Sequence, residues 1–374
     1  MKVGIRVSPQ SSGGGVVFVE NLTRSLRADP RCSEVAVFVM GESTRYDAEN
    51  QIEVPVSGGS ISRRLRGDRA LARTVADHPV DVILCPGNEI SQVPGTPSLL
   101  WPLTVAPFEE PAMRQLGRSA KTTLRWKVLR KALGAAVSKS DALIFSSHYT
   151  RGLYSSHFPA LRERPSVVVP PPPSLTPDAA DVPTPDLPDD YILYVSHMYP
   201  YKMVLEMIRG YAEATRRGVT HKLVIAGRAT NASYGAEIER VIDEEGVADK
   251  IVLLGSLPAE RLPYLYRRAT LFLFPSISEN AGSFALLDAF IFGVPVLSSS
   301  SSSMPEACRA GAAFFDPRDI GQLTEELVRI LGDEAELRSL AARSAARGQE
   351  LRYWDAAADQ VLTFCSSLVA GRRA

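Results

Sequence analysis

"LFLFPSISENAGSFALLDAFIFGVPV" occupies residues 271–296. An apolar run leads to Pro275–Ser276. A polar loop carrying Glu279, Asn280, Gly282 and Ser283 follows, then an apolar stretch of helical length over 284–292. A second apolar run, "VPVLSS" (294–299), closes the unit. Runs that are apolar throughout, without alternation, are expected of strands buried on both faces of a parallel sheet. The stretch therefore reads as strand, loop, helix, strand.

The same grammar extends in both directions. Candidate strands are 2–7, 34–40, 81–85, 98–101, 142–146, 166–170, 191–196, 222–227, 250–255, 271–276 and 294–299. Helix-length segments lie between them, as at 16–27, 204–217, 235–246 and 284–292. The fold class is α/β, doubly wound. One stretch breaks the pattern. "PPPPSLTPDAADVPTPDLPDD" (170–190) holds eight prolines, and proline lacks a backbone donor and fixes φ, so neither helix nor central strand fits. The 374-residue chain also exceeds the size at which single cores stop growing. The expected organisation is an N-terminal domain over 1–172, a Pro-rich linker over 173–190, a second domain over 191–353 and a terminal helix over 354–374.

Composition excludes several classes. Net charge is zero and 45% of residues are hydrophobic, so bulk charge gives no polyanionic partner, and nucleic acid is not expected. The charge is divided unevenly. Residues 1–170 hold 22 Lys/Arg against 15 Asp/Glu, a net of +7, and residues 171–374 hold 20 against 27, a net of −7. Cys32, Cys85, Cys308 and Cys365 stand singly and read as core thiols of a reducing compartment. "MKVGIRV" reads as a strand rather than a signal peptide, and no apolar run is long enough to span a bilayer. The expected location is cytoplasmic or membrane-peripheral. Basic stretches at 62–73 and 114–131 would face anionic lipid, a phosphorylated acceptor or plain solvent.

In open α/β sheets ligands sit beyond the carboxyl ends of strands, which directs attention to three loops. "VSPQSSGGGVVFVENL" (7–22) offers glycines, Gly14 and Gly15 among them, whose amides can approach a phosphate at a helix start; a flexible turn reads equally from it. In "YILYVSHMYPYKMVLEMIRGY" (191–211), His197 and Lys202 follow a strand end, where a cation meets a diphosphate or only solvent. The third loop, 275–283, enters a helix whose start favours anions. Asp288, a turn in, would accept from ribose hydroxyls, unless Ser283 is only a cap and Asp288 only solvated.

Together these segments resemble the retaining glycosyltransferases of family 4, the group 1 enzymes, whose signature reads FPSxxEGFGLPxLEAMAxGxPV. "FPS", "LLDA" and "GVPV" match in register, and "MPE" (304–306) stands at the family's (I/L)PE. The second segment is similar to YVGRLxxxKG. The resemblance implies a GT-B fold, two Rossmann-like domains facing each other across a cleft. It implies transfer of a sugar from a nucleoside-diphosphate donor to a hydroxyl acceptor with retention, without a metal or other cofactor. Lys202, Gly14, Gly15 and the amides around Ser283 and Phe284 would hold the diphosphate. His197, when protonated, and Arg228 would supply further positive charge. Thr104, after the fourth candidate strand, would lie on the acceptor side.

The match departs from the signature in its acids. Eight positions before Asp288 stands Asn280; Glu279 is one residue earlier. The count favours Asn280 at the donor sugar, with Glu279 as the alternative if the loop holds an extra residue. Two other functions stay open on these residues: a silent sugar-nucleotide-binding homologue or scaffold, and a sugar-nucleotide epimerase on the same fold.

Overall fold

The structure is a computed structural model that describes residues 1–8, 14–41, 46, 51–56, 60–117, 120–184 and 187–373. It divides into two compact units. Met1–Phe108, Ser119–Pro172 and Arg352–Ala374 form the first, Glu109–Arg118 and Pro173–Leu351 the second.

In the first unit the strands are β1 (Lys2–Val7), β2 (Glu34–Met40), β3 (Gln51–Val54), β4 (Val82–Pro86), β5 (Ser98–Trp101), β6 (Ala142–Phe145) and β7 (Ser166–Val168). They make one seven-stranded sheet in the order β3-β2-β1-β4-β5-β6-β7, parallel at every pairing. The helices are α1 (Gly14–Ala28), α2 (Ser60–Asp77), then α3 (Glu110–Gln115), which belongs with the second unit, α4 (Ala120–Lys139) and α5 (His148–His157).

The second unit repeats the plan with β8 (Tyr191–Val195), β9 (Lys222–Ala226), β10 (Ile251–Gly255), β11 (Leu271–Phe274), β12 (Val296–Ser299) and β13 (Ala312–Phe315). Their order is β10-β9-β8-β11-β12-β13, again all parallel. Its helices are α6 (Val204–Arg216), α7 (Ala232–Glu245), α8 (Leu262–Arg268), α9 (Phe284–Ile291), α10 (Met304–Cys308), α11 (Ile320–Leu331) and α12 (Glu334–Glu350). The final helix, α13 (Trp354–Arg373), belongs to the first unit.

Each sheet is apolar on both faces, which is why its strands lack alternation. On β8, Ile192 and Tyr194 enter one core with Val204, Met207 and Ile208 of α6. Tyr191 and Leu193 enter the other with Phe272, Phe274, Leu286 and Phe290. Polar side chains mark helix starts: Asn231 accepts from the Tyr234 amide and Asp319 from the Gln322 amide, each replacing a bond the first turn lacks.

Three features differ from the sequence expectation. Residues 109–118 group with the second unit although they lie within the first stretch of chain. The strands β3 and β13 were not expected, and both are sheet edges. The proline-rich segment is irregular in backbone yet docked as a strap: Arg267 and Arg268 ion-pair with Asp181 at 3.1 and 3.0 Å, and Leu175 and Leu187 pack against the second unit's core. All four cysteines are buried thiols.

Candidate functional site

A doubly wound sheet opens a crevice where its strand order reverses, because neighbouring loops there leave in opposite directions. In the second unit that point lies between β8 and β11. The loop after β8 carries His197 and Lys202, and the loop after β11 carries Ser276 to Ser283. The Ile277 amide donates to the Tyr201 carbonyl at 2.9 Å and fixes the two loops to each other.

Across this junction the Lys202 ammonium donates to the Glu279 carboxylate in an ion pair. Both side chains are about nine-tenths enclosed, with 9% and 11% exposed. The ammonium also lies 5.3 Å from the Phe274 ring centroid and 5.6 Å from that of Tyr201, an arrangement favourable to a cation. An ammonium has three donors, so the bond to Glu279 leaves capacity for an anionic ligand. Tyr201 stacks on Tyr199 at 5.4 Å, and Tyr199 is exposed at the edge of the loop.

The loop is held from behind by serines that sequence reasoning passed over. Ser302 accepts from the Glu279 amide at 3.1 Å, and Ser302 and Ser303 each donate to the Glu279 carbonyl at 2.8 Å. Ser303 also accepts from the Gly282 amide at 2.8 Å. Gly282 has φ +74, and an added Cβ would sit 2.8 Å from the Ala307 methyl. Ser278, next to Glu279, donates to the buried Glu109 carboxylate of the segment that joins this unit. The run of six serines at 298–303 was the available signal, but its composition alone reads as a loop.

Ser283 precedes α9 in extended conformation, and its side chain makes no capping bond. It does not play the capping role that was the plain alternative reading. Phe284 opens the helix. Asn280 is half-buried in the same loop, and the carboxylate that meets Lys202 is that of Glu279.

His197 and Arg228 follow the adjacent strands β8 and β9, whose loops bridge at Met198 and Ala229. The loops approach so closely that a Cβ on Gly227 (φ +149) would lie 1.8 Å from the Ser196 carbonyl oxygen. Burial first, then the charges of Arg228 and Lys202, push the His197 pKa below its ordinary value. Protonation of the ring, the condition under which it would add charge to the site, is thus disfavoured, first by burial and then by the two neighbouring cations.

Asp288 also departs from expectation. It is 1% exposed. One carboxylate oxygen accepts from the Ser174 and Leu175 amides at 2.8 and 3.1 Å, the other from the Ser174 hydroxyl at 2.6 Å. Burial raises its pKa to about 6, against the lowering effect of these bonds. It is neither solvated nor turned to an open surface; the strap covers it.

In the first unit the strand order reverses between β1 and β4. Residues 9–13 of the glycine-rich loop lie outside the described residues. Gly14 and Gly15 stand in the first turn of α1 rather than in the loop. Beside them in sequence, Ser8 joins a network unforeseen from the sequence: buried Arg6 pairs with Glu89 at 2.9 Å and donates to Ser8 at 3.0 Å. Thr104 follows β5, half-buried, and its carbonyl accepts from the Tyr154 hydroxyl at 2.8 Å. Among the described residues no cluster of three His, Cys, Asp or Glu suits a metal ion, and no helix is long and apolar enough to cross a membrane.

Comparison with known proteins bears on the fold and on what residues 178–348 are similar to. The family model for glycosyl transferases group 1 matches residues 178–348. O-antigen chain mannosyltransferase B of Escherichia coli is 28% identical over 167 residues, 44% of this chain and 42% of that protein. A GDP-mannose-dependent alpha-(1-6)-phosphatidylinositol monomannoside mannosyltransferase of Mycolicibacterium smegmatis is 28% identical over 247 residues, 61% of this chain and 60% of that protein. The chain thus spans about half the length of these two relatives. The structure of sucrose-phosphate synthase from Thermosynechococcus elongatus superposes with a TM-score of 0.78 at 16% identity, covering 99% of both chains, a likeness of GT-B fold. Residues 178–348 thus carry a likeness to the glycosyl transferases group 1, and the fold is GT-B.

Proposed function

We propose that the chain is a retaining glycosyltransferase that moves a sugar from a nucleoside-diphosphate sugar to a hydroxyl acceptor. The observation that carries this reading is the Lys202–Glu279 pair at the β8/β11 switch point. As the anomeric bond breaks, negative charge grows on the leaving diphosphate, and preorganised donors at that charge are the largest usual catalytic contribution. Lys202 supplies it, assisted by the backbone of Gly282, Ser283 and Phe284 and by Arg228. Neutral His197 contributes a hydrogen bond rather than a charge. Glu279 accepts from donor-sugar hydroxyls, and the extra residue relative to the family motif is taken up in the turn at Gly282. Asn280 stays at the rim of the same turn. The acceptor attacks from the face the diphosphate leaves, whose oxygen takes the proton, with Thr104 on the acceptor side. The enclosure of Asp288 favours a second reading, a homologue that holds a sugar nucleotide without transferring it.

Thermal-shift and transfer assays with UDP-glucose and GDP-mannose test both readings. A donor at 100 times its dissociation constant stabilises the protein by about 2.7 kcal/mol, and a transferase gives product with the donor's anomeric configuration. Glu279→Gln is expected to lower kcat at least about tenfold, since hydrogen bonds to a charged group contribute roughly 1.5–3 kcal/mol, whereas Asn280→Ala costs less. Normal kinetics for Glu279→Gln would remove it from the sugar site; donor binding with no transfer to any acceptor would leave the binder.

A peripheral membrane contact is part of the proposal. On α4, Leu124 and Val128 are 63% and 55% exposed one turn apart, amid Arg125, Lys127 and Lys131. Arg114, counted with this basic stretch in the sequence, lies on α3 and pairs with Glu110; Arg118 lies outside the described residues. Each basic residue near an anionic surface contributes on the order of 1 kcal/mol. The protein should co-sediment with vesicles containing phosphatidylserine, and lose this with Leu124→Glu/Val128→Glu or in high salt. Equal binding to purely zwitterionic vesicles, or none to either, counts against it.

A further inference from the structure

The strap and Asp288 define a role that the family motif does not describe. A carboxylate offers about four acceptor positions, and three are filled by Ser174 and Leu175. The group is 1% exposed, so ribose hydroxyls reach it only if the strap leaves. The strap does not rest on this contact alone. Asp181 is held by Arg267 and Arg268, the Arg267 guanidinium donates to the carbonyls of Pro177 and Ala179 at 3.0 and 2.6 Å, and Leu175 packs into the core beside α9. Asp288 lies on α9, the helix entered by the loop that carries Glu279, Gly282 and Ser283. A buried carboxylate needs partners for nearly every acceptor position, and here they come from the strap.

We propose that Asp288 is a positioning residue: it latches the 173–181 strap to α9, sets the helix that carries the donor-binding loop, and does not take the nucleotide's ribose. This rests on the donor site proposed above. The latch has a chemical signature. An amide at position 288 keeps all three contacts, because its oxygen accepts from both backbone amides while its NH2 group donates to the Ser174 hydroxyl oxygen. At a ribose site the same amide would exchange charge-assisted bonds from two hydroxyls for weaker neutral ones, so nucleotide affinity would fall while the strap stayed shut.

The test uses the full chain with Asp288→Ala, Asp288→Asn and Ser174→Ala. Thermolysin cleavage before Leu175 reports opening of the strap without any ligand. Calorimetry with UDP and GDP reports the nucleotide site. Asp288→Ala should speed cleavage roughly tenfold or more, because charge-assisted bonds hold the strap closed. It should also weaken nucleotide binding by a similar factor. Ser174→Ala, which removes one bond, should lie between it and wild type. Asp288→Asn should restore both readouts to within about twofold of wild type. Unchanged cleavage in Asp288→Ala or Ser174→Ala overturns the latch. Wild-type cleavage in Asp288→Asn with nucleotide affinity as poor as in Asp288→Ala overturns it too, by showing a carboxylate that touches ribose. If neither UDP nor GDP binds wild type, the donor-site reading fails, and the cleavage arm still decides the latch.

Discussion

Lys202→Ala should lower turnover roughly 100- to 1000-fold, the scale of losing one preorganised donor at a developing anion, about 2.7–4 kcal/mol of transition-state stabilisation. In the sequence this lysine reads as a cation beyond a strand end, facing a diphosphate or only solvent. The structure alters that expectation, because Lys202 is 7% exposed and paired with an equally enclosed Glu279. Removing one member of a buried pair leaves the other uncompensated, at a cost of up to about 3–5 kcal/mol. The single variant therefore mixes two effects. Lys202→Met/Glu279→Gln separates them, since it replaces the pair with neutral groups of similar size. It should recover most of the lost thermal stability while turnover stays at least about 100-fold down. Turnover near wild type in a folded Lys202 variant would take this residue out of the chemistry.

Ending the chain at Leu351 should abolish stable folding of the first unit. Helix α13 buries Ala357, Ala358, Val361, Leu362 and Cys365. Trp354 meets Phe18 of α1 edge-on at 5.6 Å, and Phe18 meets Trp101 of β5 in the same way at 4.8 Å. Asp359 pairs with Arg31 at 2.7 Å, an exposed contact of small worth. Burial of one large apolar side chain contributes roughly 1.5–3 kcal/mol. Losing Val361, Leu362 and the Trp354 contact, and uncovering Phe18, approaches the 5–15 kcal/mol that typically holds a domain. Calorimetry of the truncated chain should show the second unit's transition retained and the first unit's lost. Two transitions at their original temperatures would show that α13 is dispensable.

The fold was legible where burial on both sides made strands uniformly apolar, as in "EVAVFVM" and "LFLF". It was not legible at β3 and β13. Both are edge strands, with one neighbour each, and their sequences, QIEV and AAFF, lack the long β-branched run of a central strand. For the site, Lys202, Glu279 and their loops could be named because cations and acids beyond strand ends are few. The register could not be settled, because spacing alone does not tell whether the loop between Glu279 and Asp288 holds an extra residue. The partner of Asp288 was illegible for a different reason. Ser174 lies 114 positions away, in a segment whose prolines announce irregular backbone but not where that backbone docks.

The placement of α13 bears on how the chain is made. Residues 352–374 belong to the first unit, yet the ribosome delivers them after every residue of the second. The second unit, apart from its 109–118 segment, is one continuous stretch that can close as soon as it emerges. The first must wait, its Phe18 surface uncovered through the synthesis of some 180 further residues, residues 173–351. At roughly 5–20 residues per second that delay lasts about 10–40 seconds. During it the nascent chain presents an apolar groove to holding chaperones, and the order of birth is the reverse of the order of completion.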